Sequence, residues 1–253
     1  MSPAGSRSPV DDPMASFMSL DPSDDVQHDL DQPERPRPVR GRGAASISVR
    51  PQVLESCSVA LRRMGDSDPG TIAVTSTLRR EGRSTVALGL AVTAAVELGR
   101  RTILLELDEE SRRVPNLVDL EPGPGAADFL GGIAAIEDCI RPLERDLDVM
   151  PFGTRVGGDG IAKDIDRFAE LVDVLGRRCD VLVADLPPLS SGLTTARMAD
   201  LFRSVALVVR AGAVPLTEMS QMVSMLGQKP FVILNGKAAP KRSRIGKILR
   251  LRP

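Results

Sequence analysis

Short apolar runs alternate with longer amphipathic stretches from about residue 50 onward, a pattern typical of strands connected by helices. Six runs are nearly continuous and rich in β-branched residues, as strands buried on both faces are, and cover residues 71–76, 102–107, 148–152, 181–186, 205–210 and 231–235. Helical spacing is found at Gln52–Met64, Ser84–Leu98, Ile165–Leu175 and Leu216–Leu226. The pattern predicts an α/β fold, a doubly wound and mainly parallel sheet with helices on both faces.

Both ends of the chain lack this alternation. Residues 1–45 are rich in Pro, Ser, Asp and Arg, and we expect a disordered arm, either a solvated leader or a segment that recruits a partner. Residues 237–253 are basic and contain no acid. Their apolar positions fit either an amphipathic segment that meets an anionic membrane surface through 241–253 or a flexible tail. The folded domain is therefore predicted over residues 46–236.

Composition excludes several classes of function. The 253 residues carry a net charge of −1 and only 2% aromatic residues, so we expect no sequence-specific binding of nucleic acid. His28 is the only histidine, which removes histidine-based triads and metal sites. The chain contains no tyrosine and cannot phosphorylate itself on tyrosine. Three separated cysteines and the lack of a long apolar run favour a cytoplasmic protein.

The first predicted strand runs into a polar turn and then a helix, in the sequence TSTLRREGRST at 75–85. Such a turn directs unpaired backbone N–H groups and the helix dipole at one point, where an anion is favoured. Gly82 permits close approach of the backbone, Ser84 offers a hydroxyl to Mg²⁺, and Arg83 supplies a cation where the usual P-loop has lysine. The usual spacing also asks for glycine at Thr77, so an ordinary turn stays open as the alternative.

Three acidic residues, Glu106, Asp108 and Asp185, lie at or just beyond the carboxyl ends of two other predicted strands. In open α/β sheets, ligands bind outside these strand ends. We therefore expect the three carboxylates to converge, together with Ser84, on a Mg²⁺ held at the turn. Each carboxylate alone is more often a solvated strand-end residue, but the three in this order favour a nucleotide site.

Three segments carry a resemblance to a known family: residues 76–85, ILLELDEESRRVP at 103–115 and VLVADLPPL at 181–189. They are similar to the first Walker motif, the paired acids and the Walker B motif of the cytoplasmic ATPase domains of bacterial tyrosine kinases. Those kinases act in capsular and exopolysaccharide export and are relatives of the ATPases that position chromosomes and division septa. The resemblance extends from about Gln52 to Asn235.

The resemblance implies a role for each site residue. The phosphates of ATP would be held by Gly82, Arg83, Ser84 and Thr85. Asp108 and Asp185 would organise Mg²⁺ and water, and Asn235 would lie near the base. Glu106 stands where the family usually has aspartate.

The chain departs from the family at several positions. Arg79 and Arg80 stand at its Pro-Gly positions, Arg83 replaces its lysine, and a basic tail replaces its tyrosine-rich one. An arginine is a planar fork and is not a simple substitute for a compact ammonium group. These departures favour a divergent member whose hydrolysis of ATP is weak or absent.

We therefore expect an ATP- and Mg²⁺-binding partner or regulator of a polysaccharide co-polymerase, in the cytoplasm or at the inner-membrane surface. In any hydrolysis, Arg83 would stabilise charge and Asp108 would orient water. One alternative is a positioning ATPase that dimerises on ATP and meets the membrane through its basic tail, although Leu78 stands where that group has its signature lysine. The other is a scaffold that retains the fold without the nucleotide.

Overall fold

A computed structural model describes residues 47, 49–64, 70–154 and 165–236. The predicted arm at 1–45 and the predicted tail at 237–253 lie outside the described residues. Within them the strands are β1 (Gly70–Ser76), β2 (Thr102–Glu106), β3 (Arg141–Glu144), β4 (Leu147–Met150), β5 (Val181–Asp185), β6 (Ser204–Arg210) and β7 (Phe231–Asn235). The helices are α1 (Pro51–Met64), α2 (Arg83–Val92), α3 (Val114–Leu117), α4 (Ala126–Leu130), α5 (Ile136–Cys139), α6 (Ile165–Arg178), α7 (Leu193–Ala199) and α8 (Leu216–Val223).

The strands form one sheet in the order β3-β4-β2-β5-β1-β6-β7. All neighbours pair in parallel except β3, which is antiparallel to β4. Every residue of β2 and β5 is buried, as their continuous apolar sequence predicts for strands covered on both faces. The order places β5 between β1 and β2, so the ends of these three strands meet at the middle of one sheet edge.

A separate apolar core packs on each face of the sheet. On one face α6 contributes Phe168, Leu171 and Leu175, all of them fully buried. On the other face α1 and α2 pack together, with Leu61 and Leu88 buried between them and the sheet. The prediction of a doubly wound α/β sheet with helices on both faces is confirmed. None of the helices within the described ranges is long and apolar enough to cross a bilayer.

The short helices α3, α4, α5 and α7 were not predicted from the sequence, and two further elements also differ from the prediction. The predicted helix over 84–98 is α2 followed by a wider turn of π-helix at Thr93–Glu97, where the Thr93 hydroxyl donates to the Gly89 carbonyl oxygen at 2.8 Å. A hydroxyl bonded to the preceding turn in this way often distorts a helix. Strand β3 was not predicted, because RPLE is short, contains proline and offers only one buried side chain, Leu143. Proline is tolerated there because β3 is an edge strand.

Gly125, just before α4, is required by close packing of the backbone. A β-carbon at this position would lie 2.1 Å from the Pro151 carbonyl oxygen and 2.6 Å from the Gly153 nitrogen. We expect Gly125→Ala to lower the free energy of unfolding by about 2 kcal/mol or more, because the backbone must shift to admit the methyl group. Urea denaturation followed by circular dichroism measures the change.

Gly176→Ala is the matched control for that substitution. Gly176 lies within α6, and its added β-carbon would make only an ordinary contact of 3.6 Å with Thr71. This variant should be about 0.5–1 kcal/mol more stable than the wild type, since alanine favours a helix over glycine. Equal stability changes in the two variants would contradict the packing argument at Gly125.

Candidate nucleotide site

The turn between β1 and α2 is held from within by Glu81. This side chain is 2% exposed, and its Oε2 accepts hydrogen bonds from the Thr77 hydroxyl and the Leu78 amide, both at 2.7 Å. Its Oε1 accepts a third from the Arg210 amide at the end of β6, at 3.0 Å. Sequence reasoning missed Glu81, because a glutamate in a polar turn has the pattern of a solvated side chain. The turn therefore has a fixed shape that needs no ligand.

Asn235, at the end of β7, lies against the last residues of the turn. Its Nδ2 donates to the Glu81 carbonyl oxygen at 2.8 Å, and its Oδ1 accepts from the Gly236 amide at 2.9 Å. Gly82 has a φ of 90°, and a β-carbon there would lie 2.1 Å from Asn235 Nδ2. Glycine is thus required at 82 both by its left-handed backbone and by the approach of Asn235.

Helix α2 begins directly after Gly82 and has no side-chain cap at its start. The first amides of a helix have no partner within the helix, and they carry the positive end of its dipole. Ser84 lies in this first turn and is 6% exposed, whereas Thr85 is exposed. The helix start therefore offers backbone donors and one buried hydroxyl at the same place.

The Arg83 side chain turns into the protein and joins two carboxylates. It is 6% exposed, its Nε donates to Asp185 Oδ1 at 2.7 Å, and its Nη2 donates to Asp108 Oδ2. Burial lowers the pKa of Arg83, but the charges and hydrogen bonds of Asp185 and Asp108 raise it by more than burial lowers it. The net shift of this pKa is upward. The guanidinium is therefore charged at every accessible pH.

Asp185 ends the central strand β5 and is fully buried. Burial raises the pKa of this carboxyl above its usual value, and the charge of Arg83 and the Ser84 hydroxyl lower it by less. Although the Ser84 hydroxyl is near enough to affect that pKa, Asp185 Oδ2 accepts no hydrogen bond from any described residue. A buried carboxylate oxygen without a donor is costly, so a hydrogen-bond donor or a cation at this atom would be stabilising.

Asp108 lies two residues beyond the end of β2 and is 2% exposed. Its Oδ1 accepts from the amides of Glu110 and Ser111, at 3.2 and 3.3 Å. Arg79 approaches the same oxygen at 3.8 Å, but it is 41% exposed and makes its close ion pair with Glu110, at 2.6 Å. Arg80 is exposed, with a φ of 64°. Unlike Arg83, Arg79 and Arg80 are therefore not buried with the two aspartates.

Glu106 has a different set of partners from the two aspartates. Its carboxylate is fully buried, with Oε1 accepting from the Val114 amide at 2.8 Å and Oε2 from the Phe152 amide at 3.2 Å. It thereby ties the end of β2 to the start of α3 and to the segment after β4. The structure thus brings Asp108, Asp185 and Ser84 together at Arg83, and it commits Glu106 to backbone amides.

The oxygen ligands that Ser84, Asp108 and Asp185 offer near Arg83 are only part of what a divalent cation needs. Within the described ranges no three His, Cys, Asp or Glu side chains are grouped to hold one metal ion. Two carboxylates and a hydroxyl are nevertheless oxygen ligands of the kind that Mg²⁺ takes when phosphates and water complete its shell. The roles assigned to the individual residues from the sequence stay predictions.

The buried carboxyl of Glu106 should make stability depend on pH. Burial raises its pKa from 4.5 to about 7, more than the amides of Val114 and Phe152 lower it. A carboxyl with a raised pKa binds protons on folding, so the free energy of unfolding falls as pH rises through that window. Relative to Glu106→Gln, the wild type should lose about 3 kcal/mol between pH 4.5 and 7. Denaturant titrations at several pH values measure this difference, and a constant difference would contradict it.

Comparison with known proteins relates the fold to bacterial kinase domains and to a cell division ATPase. No family model matches the chain, and no curated protein sequence does. Among solved structures, the VpsO kinase domain superposes with a TM-score of 0.66 at 23% identity, covering 73% of this chain and 94% of that one. The BceF tyrosine kinase domain gives 0.59 at 26% identity, covering 72% and 74%.

A third match is the cell division ATPase MinD of Pyrococcus furiosus, with a TM-score of 0.52 at 22% identity over 64% of this chain and 68% of that one. The two groups are the ones that the sequence motifs of residues 76–85, 103–115 and 181–189 indicated. The chain therefore has the P-loop α/β fold that bacterial tyrosine kinase domains share with MinD-type ATPases.

Proposed function

We propose that this protein binds ATP with Mg²⁺ at the β1–α2 turn and acts as the cytoplasmic partner or regulator of a membrane polysaccharide co-polymerase. The observation that carries the nucleotide site is the meeting of Arg83, Asp108 and Asp185 at an uncapped helix start. The likeness to the VpsO and BceF kinase domains supports the link to polysaccharide export. Because the chain has no tyrosine, this function does not include tyrosine autophosphorylation.

The phosphates would lie at the helix start. The amides of Arg83, Ser84 and Thr85 are the first of α2, directly after the left-handed backbone of Gly82. A polyphosphate there gains hydrogen bonds from groups that have no partner within the helix. Asn235, which contacts the same turn through the Glu81 carbonyl, would lie on the side of the base.

Mg²⁺ would be held by the Ser84 hydroxyl with the carboxylates of Asp108 and Asp185. When bound, the ion neutralises phosphate charge. The unpartnered Asp185 Oδ2 is the atom of this set that most clearly needs a positive neighbour. Glu106 would act one layer behind, by holding the backbone that carries Asp108.

Hydrolysis would be slow. The cation of the turn is a guanidinium bound to two carboxylates, and it must leave them to contact phosphate oxygens. Arg83 would then stabilise the charge that develops on the phosphate, and Asp108 would orient the attacking water. Occupancy of the site by nucleotide, more than turnover, would then govern association with the membrane partner. The basic segment 241–253 would add contact with anionic lipid.

Ser84→Ala tests the nucleotide site with little change to the fold. We expect the wild type to bind a fluorescent ATP analogue saturably in the presence of Mg²⁺, and Ser84→Ala to bind it roughly tenfold more weakly, about 1.4 kcal/mol. Fluorescence anisotropy measures both affinities, and phosphate release in the same samples measures turnover. Ser220→Ala, an exposed serine on α8, is the matched control and should bind as the wild type does.

The outcomes separate the candidate functions. Binding with little release supports a nucleotide-responsive partner, whereas release stimulated by anionic vesicles supports a positioning ATPase. A wild type that binds no nucleotide would leave only a scaffold. Equal affinity of Ser84→Ala and the wild type for the ATP analogue would contradict the proposed Mg²⁺ ligand at the start of α2.

A further inference from the structure

Arg83, Asp108 and Asp185 form a buried ion cluster in which one cation faces two carboxylates. All three side chains are 7% exposed or less, and each carboxylate receives a separate nitrogen of the guanidinium. Buried charges are tolerated only when they are paired closely, because water no longer stabilises them. Arg83 is therefore the counter-ion of the two aspartates as the protein stands.

The guanidinium takes the place between the two carboxylates where a divalent cation would bind. Arg83 donates hydrogen bonds to the two carboxylate oxygens that could bind one metal ion together, Asp185 Oδ1 and Asp108 Oδ2. The planar fork suits this bridge, since its Nε and Nη2 point in different directions and reach both acids at once. A free metal ion would have to displace a charge that is itself well paired.

We propose that Arg83 is an internal counter-ion that keeps free Mg²⁺ out of the site, so that the metal enters only together with a polyphosphate. The phosphate oxygens would attract the guanidinium away from the aspartates and so release Asp108 and Asp185 to the ion. The incomplete satisfaction of Asp185, whose Oδ2 has no donor among the described residues, leaves the cluster open to such an exchange. This inference rests on the proposed nucleotide site, but its test needs no nucleotide.

Arg79 is the other described arginine with an ion pair to this cluster, but it is poorly placed to replace Arg83. Arg79 is 41% exposed, reaches Asp108 only at 3.8 Å and is paired with Glu110. Its ion pairs within the described ranges are with Asp108 and Glu110, not with Asp185. Removal of the charge at 83 should therefore leave two buried carboxylates that together attract a divalent cation.

The experiment measures metal binding to the full-length, nucleotide-free protein. Mn²⁺ binding is followed by electron paramagnetic resonance, and melting temperature is measured with and without millimolar Mg²⁺. In Arg83→Gln we expect Mn²⁺ to bind roughly tenfold more tightly than in the wild type or better. The variant should melt lower without metal and recover with Mg²⁺, because a ligand that binds only the folded state stabilises it. The wild type should show no such response.

Three further variants make the result specific. Arg79→Gln removes a neighbouring exposed charge and should respond to metal as the wild type does. The double variant Arg83→Gln, Asp185→Asn should lose the metal response, since one carboxylate of the pair is gone. Arg83→Lys keeps the charge without the fork and should bind Mn²⁺ with intermediate affinity; it carries the test if Arg83→Gln does not fold.

Two results would overturn the inference: tight Mn²⁺ binding by the nucleotide-free wild type, or no gain of affinity in either Arg83 variant. A wild type that fails to bind ATP would instead refute the proposed function, and the metal response of the Arg83 variants would still stand.

Discussion

The ion cluster of Arg83, Asp108 and Asp185 is the interaction around which the centre of the molecule is arranged. Its three members come from the start of α2, the loop after β2 and the end of β5. They meet because β5 lies between β1 and β2 in the sheet, so the carboxyl ends of these three parallel strands are neighbours at one edge. Charges removed from water need partners at close range, and this need fixes where the Arg83 side chain can lie.

A second layer of polar side chains fixes the backbone around that cluster. Glu81 and Glu106 are both buried, and each accepts hydrogen bonds from amides of two separate segments. The segment after β5 is tied to β1 as well, with the Thr75 hydroxyl donating to the Pro187 carbonyl oxygen at 2.7 Å. The backbone around the ion cluster is consequently held in place by the protein's own hydrogen bonds.

Arg83 has the same charge as the lysine of the usual P-loop, but it makes different contacts. An arginine at 83 keeps a cation at the helix start, as a phosphate site requires, but its fork also bridges two acids. The phosphates of the proposed nucleotide would therefore compete with the two aspartates for the Arg83 guanidinium. Under the proposed function, such competition favours a protein that responds to nucleotide over one that turns it over quickly.

The sequence by itself determined the fold class, because burial on both faces leaves a continuous apolar run and helical packing leaves a periodic one, and both are local patterns. It therefore placed β1, β2, β5, β6 and β7 to within a residue or so, while it missed the short edge strand β3. It also located the turn and brought Asp108 and Asp185 to one edge of the sheet.

Only the tertiary structure decided which partner each polar side chain takes. Glu106 and Asp185 are paired positions on neighbouring strands, yet one carboxylate binds backbone amides and the other binds Arg83. Glu81, which the sequence marks as a turn residue like its neighbours, is buried and holds the turn. These choices depend on donors brought close by segments far away in the chain, and a local pattern carries no information about such donors.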